Sequence, residues 1–117
     1  MVKIETANGS ISISPEVFTN IAGDAATRCF GVKGMAGKAK ESGIYQLLRR
    51  ESMSKGVFAT FNDDNSVSID LHIVVEHGVN LATVGALIVG EVSYKVAEAT
   101  GVEVREVNVF IDNMIVG

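Results

Sequence analysis

The clearest pattern along the chain is an alternation of apolar and polar residues over residues 66–76. A period of two places neighbouring side chains on opposite faces of a β-strand, so this segment is predicted to be a strand with one buried face. Gly78 follows the alternation, and Asn80 stands where a helix cap is expected. The apolar face of the strand consists of Val67, Ile69, Leu71, Ile73 and Val75.

Three shorter segments also alternate and predict further strands. They are residues 10–14, 57–61 and 103–112. The polar residues 62–65 are typical of a turn, so residues 57–61 and the long strand are predicted to form a hairpin. In the last strand the apolar phase slips at Arg105, which indicates either a bulge or a strand that begins later.

Helical spacing of apolar residues predicts two main helices. The first opens at Ser14 and Pro15, which suit the cap and the first helical position, and continues to about Cys29. The second is capped by Asn80 and runs to Thr100, with Gly101 in the position that commonly ends a helix. The second helix is thus predicted to follow the long strand and to precede the last one. The residues predicted to face the sheet are Leu81, Gly85, Ile88, Val92, Val96 and Ala99.

The segment between the first helix and the hairpin is less regular. Residues 31–43 carry four glycines and are predicted to be a strand end followed by a loop. Residues 44–53 are predicted to form a short helix. Its inward residues would be Ile44, Leu47 and Leu48, and its outward residues Arg49 and Arg50.

These elements predict one domain over residues 1–117 with an α+β fold, an α/β two-layer sandwich. The sheet is expected to be mixed and mainly antiparallel, with four to five strands. Two main helices are expected to pack on one face of it. The long strand, the second helix and the last strand should form a right-handed crossover that joins parallel strands.

Composition is ordinary for a soluble globular protein, with 47% hydrophobic and 21% charged residues. A single cysteine, Cys29, cannot form an internal disulfide, which favours a reducing compartment. The N-terminus lacks the apolar run of a signal peptide. The longest uncharged apolar run, residues 81–90, is about half of the ~20 residues that a spanning helix needs. The chain is therefore expected to be soluble and cytoplasmic, with no transmembrane segment.

Charge is distributed unevenly along the chain. Residues 28–55 carry a net charge of +5, whereas the whole chain carries −4. The basic segment could contact an acidic partner, anionic lipid headgroups or RNA, or it could be a solvated, glycine-rich connection. The residues predicted to make such contacts are Lys33, Lys38, Lys40, Arg49, Arg50 and Lys55.

Candidate catalytic groups are few. His72 and His77 are expected on opposite faces of a strand end, which is poor geometry for a metal site. Asp70 and His72 share the polar face of the long strand and could form a hydrogen bond. Cys29 is expected on the inward face of the first helix. No phosphate-binding or nucleophile motif is present in the sequence, so no catalytic residue, metal or cofactor is predicted.

Two overlapping GxxG patterns, residues 31–34 and 34–37, offer an alternative function. KH modules clamp the RNA backbone with a GxxG loop, and here Lys33 lies within the pattern. An RNA-binding module that uses the loop from Gly31 to Gly37 therefore stays open, although the acidic balance of the whole chain disfavours nucleic acid as a partner.

The outer face of the second predicted helix lacks the lysines and glutamates of a solvated helix. Small residues with a few larger apolar ones suit the close approach of another helix. That helix is either the first helix of this chain or part of a second subunit, and self-association is the hypothesis that follows. The residues of this face are Ala86, Leu87, Gly90, Tyr94 and Ala97, with Thr83 beside them.

The order and spacing of several segments resemble the alkaline shock protein family, the general-stress or envelope stress response proteins of Gram-positive bacteria. These segments are residues 12–17, Gly31-Val32, residues 54–57, 66–80 and 100–109. The resemblance covers nearly the whole chain. Its most specific part is SVSIDLHIVVEHGVN, which ends at Asn80.

The resemblance implies a protein without catalytic residues, cytoplasmic and peripheral to the inner face of the cell membrane. The implied role is that of a scaffold or adaptor in envelope stress response and homeostasis. Its implied partner is a membrane-anchored relative, and a homo-oligomer is expected. Some relatives are linked to lipid synthesis, so a regulator of that process is a further alternative.

Overall fold

The computed structural model describes residues 2–38, 45–48 and 56–116. Two helices and seven strands occur along this part of the chain. The helices are α1 (Pro15–Thr27) and α2 (Leu81–Thr100). The strands are β1 (Val2–Thr6), β2 (Gly9–Ile13), β3 (Val32–Lys38), β4 (Tyr45–Leu48), β5 (Val57–Phe61), β6 (Val67–Glu76) and β7 (Val104–Ile115).

Strand β6 is the centre of a five-stranded sheet. One of its edges pairs with β7 in parallel over the whole strand. The other edge is shared by two antiparallel strands, β5 opposite Val67 to Leu71 and β3 opposite Ile73 to Val75. Strand β4 pairs with β3, and β1 and β2 form a separate hairpin. The α+β fold, the mixed and mainly antiparallel sheet, the 57–76 hairpin and the parallel crossover through α2 are confirmed.

The core lies between the sheet and the two helices. All five apolar residues of the β6 face are fully buried, as the alternation predicts. Helix α1 contributes Phe18, Ala22, Ala25 and Ala26, and helix α2 contributes residues at every fourth position. The buried residues of α2 are Val84, Ile88, Val92 and Val96.

The ends of α2 follow the predicted caps. The Asn80 side-chain oxygen accepts a hydrogen bond of 3.0 Å from the Thr83 backbone N–H. Gly101 adopts a left-handed conformation, φ 73°, and its N–H donates to the Ala97 carbonyl. These contacts satisfy backbone groups that a helix end otherwise leaves without partners.

Replacing Asn80 with alanine is expected to lower the free energy of unfolding by about 1 kcal/mol, because the Thr83 N–H loses its acceptor. Urea denaturation followed by circular dichroism measures the change. Asn80→Ser keeps a capping oxygen and should recover most of the loss. An equal loss of unfolding free energy in Asn80→Ala and Asn80→Ser would show that the capping oxygen contributes nothing to stability.

Strand β7 carries two bulges. The pairing with β6 skips Arg105, so of the two alternatives the bulge is confirmed. The pairing also skips Asp112, which the sequence pattern did not indicate. Between the bulges, residues 106–111 pair in unbroken register. Bulges of this kind redirect side chains.

Two predictions about the other segments need correction, and one strand was missed. The strand after α1 does not end early but continues through Gly34 and Gly37 to Lys38. Residues 45–48 form strand β4 and not part of a helix, because β3 offers them a ladder of backbone hydrogen bonds. The rest of the predicted 44–53 helix lies outside the described residues. Strand β1 was not predicted, although Val2 and Ile4 alternate with polar residues before Asn8-Gly9.

Candidate interaction surfaces

The predicted outer face of α2 is exposed in the structure. Leu87 retains 45% of its accessible surface and Tyr94 59%. A Cβ atom added at Gly90 would meet no atom within 4 Å, so the middle of the face is open. The α2 outer face therefore consists of Thr83, Ala86, Leu87, Gly90, Tyr94 and Ala97, all exposed.

The first helix does not cover this face. Helix α1 packs against a different flank of α2, where a groove between the helices is lined by Ala25 and Arg28 on one side and by Glu91 and Lys95 on the other. The alternative in which α1 covers the small residues is therefore wrong. Within the described residues, the α2 outer face has no intramolecular cover.

The buried face of α2 differs in part from the predicted one. Ile88, Val92 and Val96 are buried as expected, but Leu81 and Ala99 are exposed. Val84 takes the inward position in the first turn. Leu81 and Ala99 lie at the two ends of the helix, and the outer face is unaffected.

A polar contact between two α2 side chains occurs in the second half of the helix. The Tyr94 hydroxyl donates to Glu98 Oε2 at 2.5 Å, and this bond, with the charge of Glu98, raises the pKa of Tyr94. Residues 81–90 contain no charged side chain. The first half of the helix is thus both uncharged and largely exposed.

The basic residues are only partly described. Lys33 is exposed on β3, at a point where the pairing with β6 shifts register. Lys38 is the last residue of β3. The other predicted contact residues, Lys40, Arg49, Arg50 and Lys55, lie outside the described residues, so their contact with an acidic surface stays a prediction.

The sheet face opposite the helices carries a row of three rings on adjacent strands. His72 on β6 stacks on Phe110 of β7, with ring centroids 4.7 Å apart and planes 12° from parallel. Phe58 of β5 meets the other side of His72 edge-on at 5.7 Å. Phe58 and Phe110 are exposed, at 57% and 44%. Exposed aromatic rows of this kind are typical of binding surfaces.

The carboxylate that contacts His72 lies on β7, and the sequence did not predict this contact. His72 Nδ1 donates to Asp112 Oδ2 at 2.9 Å, and not to Asp70, which the sequence left open as a partner. Asp70 instead accepts from the Asn108 amide at 2.9 Å, and Glu106 accepts from the same amide at 3.0 Å. Asp112 is the bulged residue of β7, and the sequence pattern carried no signal for this contact.

Among the described residues, no nucleophile is in contact with the histidine. His72 contacts two phenyl rings and Asp112 in the described part of the chain. Cys29 lies in the core, where its thiol donates to the Ala25 carbonyl. Burial, and to a smaller extent the charge of Glu91, raise the pKa of Cys29, which keeps the thiol protonated and weakly nucleophilic.

The GxxG patterns do not form the loop that an RNA clamp requires. Gly31 lies in a turn with φ 87°, and Gly34 and Gly37 lie within β3. Gly34 is opposite Val74 of the central strand. A KH loop joins two helices, whereas these residues join α1 to a strand of the sheet.

Neither a membrane-spanning helix nor a metal-binding cluster occurs in the described residues 2–38, 45–48 and 56–116. No helix there is long and apolar enough to cross a membrane. No group of three or more histidine, cysteine, aspartate or glutamate side chains there is arranged to hold a metal ion. Asp64 lies in the hairpin turn between β5 and β6. Hydrogen bonds from the Ser66 hydroxyl and backbone N–H to its carboxylate lower the pKa of Asp64.

Comparison with known proteins gives relatives over nearly the full length. The chain is 33% identical over 114 residues to the uncharacterized protein YloU of Bacillus subtilis, covering 97% of this chain and 94% of that protein. It is 35% identical over 114 residues to the uncharacterized protein Spy1614 of Streptococcus pyogenes, covering 97% and 93%. No solved structure matches the chain significantly.

A family model also matches the chain, over residues 3–116. It is the model for the alkaline shock protein 23 family, which is described as having a cell envelope-related function. The match extends from β1 to the end of β7, so it includes both helices and every described strand. The expected relationship is confirmed, and the chain belongs to the alkaline shock protein 23 family.

Proposed function

We propose that this protein is a non-enzymatic scaffold or adaptor in cell-envelope stress response and homeostasis, and that it associates with other proteins through the α2 outer face. The cell envelope-related function of the family gives the cellular context. The exposed, uncharged face of α2 is the observation that carries the molecular part. The protein is expected to act near the inner face of the membrane.

Physical reasons support association through this face. A helix on a protein surface normally presents charged residues to solvent, and residues 81–90 present none. Ala86 and Gly90 are four residues apart on the exposed side, so the backbone of a second helix could approach closely between Leu87 and Tyr94. A second copy of α2 offers the same small and apolar residues, which makes a symmetric pair the simplest arrangement.

The chemistry of the remaining residues supports a role without turnover. His72 and Asp112 form a pair with no nucleophile among the described residues, and Cys29 is buried and protonated. An RNA clamp at Gly31 to Gly37 would need a loop where residues 32–38 form a strand. A partner that is a membrane-anchored relative remains part of the proposal.

Sedimentation velocity tests the self-association. At tens of micromolar we expect the unmodified protein to sediment as a dimer or larger species, and Leu87→Lys as a monomer, because a buried unpaired charge opposes the contact. Ile11→Lys is the matched control, since Ile11 is also exposed and lies on the β1–β2 hairpin.

A monomeric unmodified protein at these concentrations would overturn self-association, and equal effects of the two substitutions would remove the face from consideration. A crosslinking pull-down from membrane and soluble fractions, made with the unmodified protein and Leu87→Lys, then tests whether an envelope-linked protein is captured through the same residues.

A further inference from the structure

We infer that the sheet face opposite the helices, together with the edge of β7 that pairs with no described strand, forms a second binding site, and that its ligand is an extended basic peptide segment of a partner protein. The segment would add as a strand beside β7. This site lies on the opposite side of the sheet from α2, so it is independent of the association proposed above.

The edge of β7 supplies the backbone part of the site. Among the described residues β7 pairs with β6 alone, so its other edge has no partner strand. The bulges at Arg105 and Asp112 bracket a regular stretch, residues 106–111, that contains neither proline nor lysine. Six residues of strand span about 20 Å, enough for a short peptide to pair with the backbone N–H and C=O groups.

The ring row supplies a planar contact for one ligand side chain. An added strand would lie about 4.8 Å from β7, and a side chain opposite Phe110 would continue the series Phe58, His72, Phe110. A guanidinium group is planar and stacks on aromatic faces, so arginine fits this position better than lysine.

The charge of the face selects a cationic ligand. Asp70 and Glu106 share a single donor, the Asn108 amide, and no lysine or arginine of the described residues forms an ion pair with either. Asp112 adds a third carboxylate beside the ring row. Nucleic acid phosphates would be repelled by this face, and a second copy of the same face would oppose like charges.

The alternation of β7 then specifies the ligand pattern. Glu106, Asn108 and Phe110 point to the outer face, whereas Val109 and Ile111 point to the core side and are half-buried. A strand beside them would place every second side chain on the acidic, aromatic face and the others against the apolar edge. The ligand is therefore a segment in which arginine alternates with branched apolar residues.

A short blocked peptide of alternating arginine and valine is the probe. Titration of the isotope-labelled protein should shift the NMR signals of the amides of residues 106–111 and of His72, and leave those of α2 unchanged. Asp70→Asn combined with Glu106→Gln should weaken binding about tenfold, because the attraction for the cationic side chains is reduced. Leu87→Lys, on the α2 outer face, should bind the peptide as the unmodified protein does.

Three control ligands make the outcome decisive. A glutamate–valine peptide should not bind if charge selects the ligand, and an arginine–proline peptide should not bind if strand pairing is required. Oligouridylate should not bind. The inference fails if the arginine–valine peptide causes no shift at millimolar concentration, if any control ligand binds equally well, or if the double variant, checked by its melting temperature, binds normally.

Discussion

Substitution of Phe18 by alanine should lower the free energy of unfolding by about 4 kcal/mol, the largest effect we expect from a single residue. Phe18 lies on the inward side of α1 with 0% of its surface exposed. Its ring meets that of Phe61 on β5 edge-on, with centroids 5.3 Å apart. Alanine would leave a cavity between helix and sheet and would also remove the aromatic contact.

Urea denaturation of the purified protein measures this loss. Phe58→Ala is the matched control, because Phe58 lies on the same strand as Phe61 but is exposed on the opposite face of the sheet. The control should cost less than about 1 kcal/mol. Similar losses for the two variants would contradict the arrangement of the core described above.

Substitution of Gly56 by alanine should destabilise the protein by about 3 kcal/mol, because the site has no room for a methyl group. A Cβ atom there would lie 2.9 Å from the carbonyl oxygens of both Ala36 and His72, and 3.1 Å from the Cβ of Met35. These atoms belong to β3 and β6, whose backbones are fixed by sheet pairing. Strands β3 and β5 lie end to end along the same edge of β6, and Gly56 is at their junction. A methyl group at Gly56 would push the start of β5 away from both neighbouring strands.

Gly85→Ala is the control, and we expect it to change the free energy of unfolding in the opposite direction. Gly85 lies within α2, and a Cβ atom there would meet nothing within 4 Å. Alanine has the higher helix propensity, so Gly85→Ala should raise the free energy of unfolding by about 0.5–1 kcal/mol. Melting temperatures of the two variants should therefore move in opposite directions, and a fall in both would contradict the packing around Gly56.

The two proposed binding surfaces have a simple relation in the fold. Helix α2 buries one side against the inner face of the sheet, so its outer face and the ring row around His72 point away from each other. A protein with two opposed surfaces could hold two partners at once, which is what an adaptor requires. The sedimentation and peptide experiments address the two surfaces separately.

Local patterns were sufficient for the elements that depend on neighbouring residues. The alternation of β6, the polar turn before it, the Asn80 cap and the Gly101 stop all follow from side-chain period and backbone preference within a few positions. The uncharged face of α2 was predicted for the same reason, since helical spacing assigns residues to faces.

Elements that depend on a distant partner were missed. Residues 45–48 are compatible with a helix by spacing, and only the neighbouring strand β3 makes them a strand. Similarly, Asp70 lies two residues from His72 and was the partner that the sequence suggested. The hydrogen bond is made instead to Asp112, which is 40 residues away.

The amino-acid sequence by itself determined the class of fold, the family and the uncharged face of α2, because periodicity and residue order are local properties. The tertiary structure alone decided that α1 leaves this face uncovered, that three rings line up across β5, β6 and β7, and that β7 has a free edge among the described strands. These features arise from strand pairing and helix packing between residues that are far apart in the chain. The energies of such contacts depend on both partners, so a pattern within one segment does not predict them.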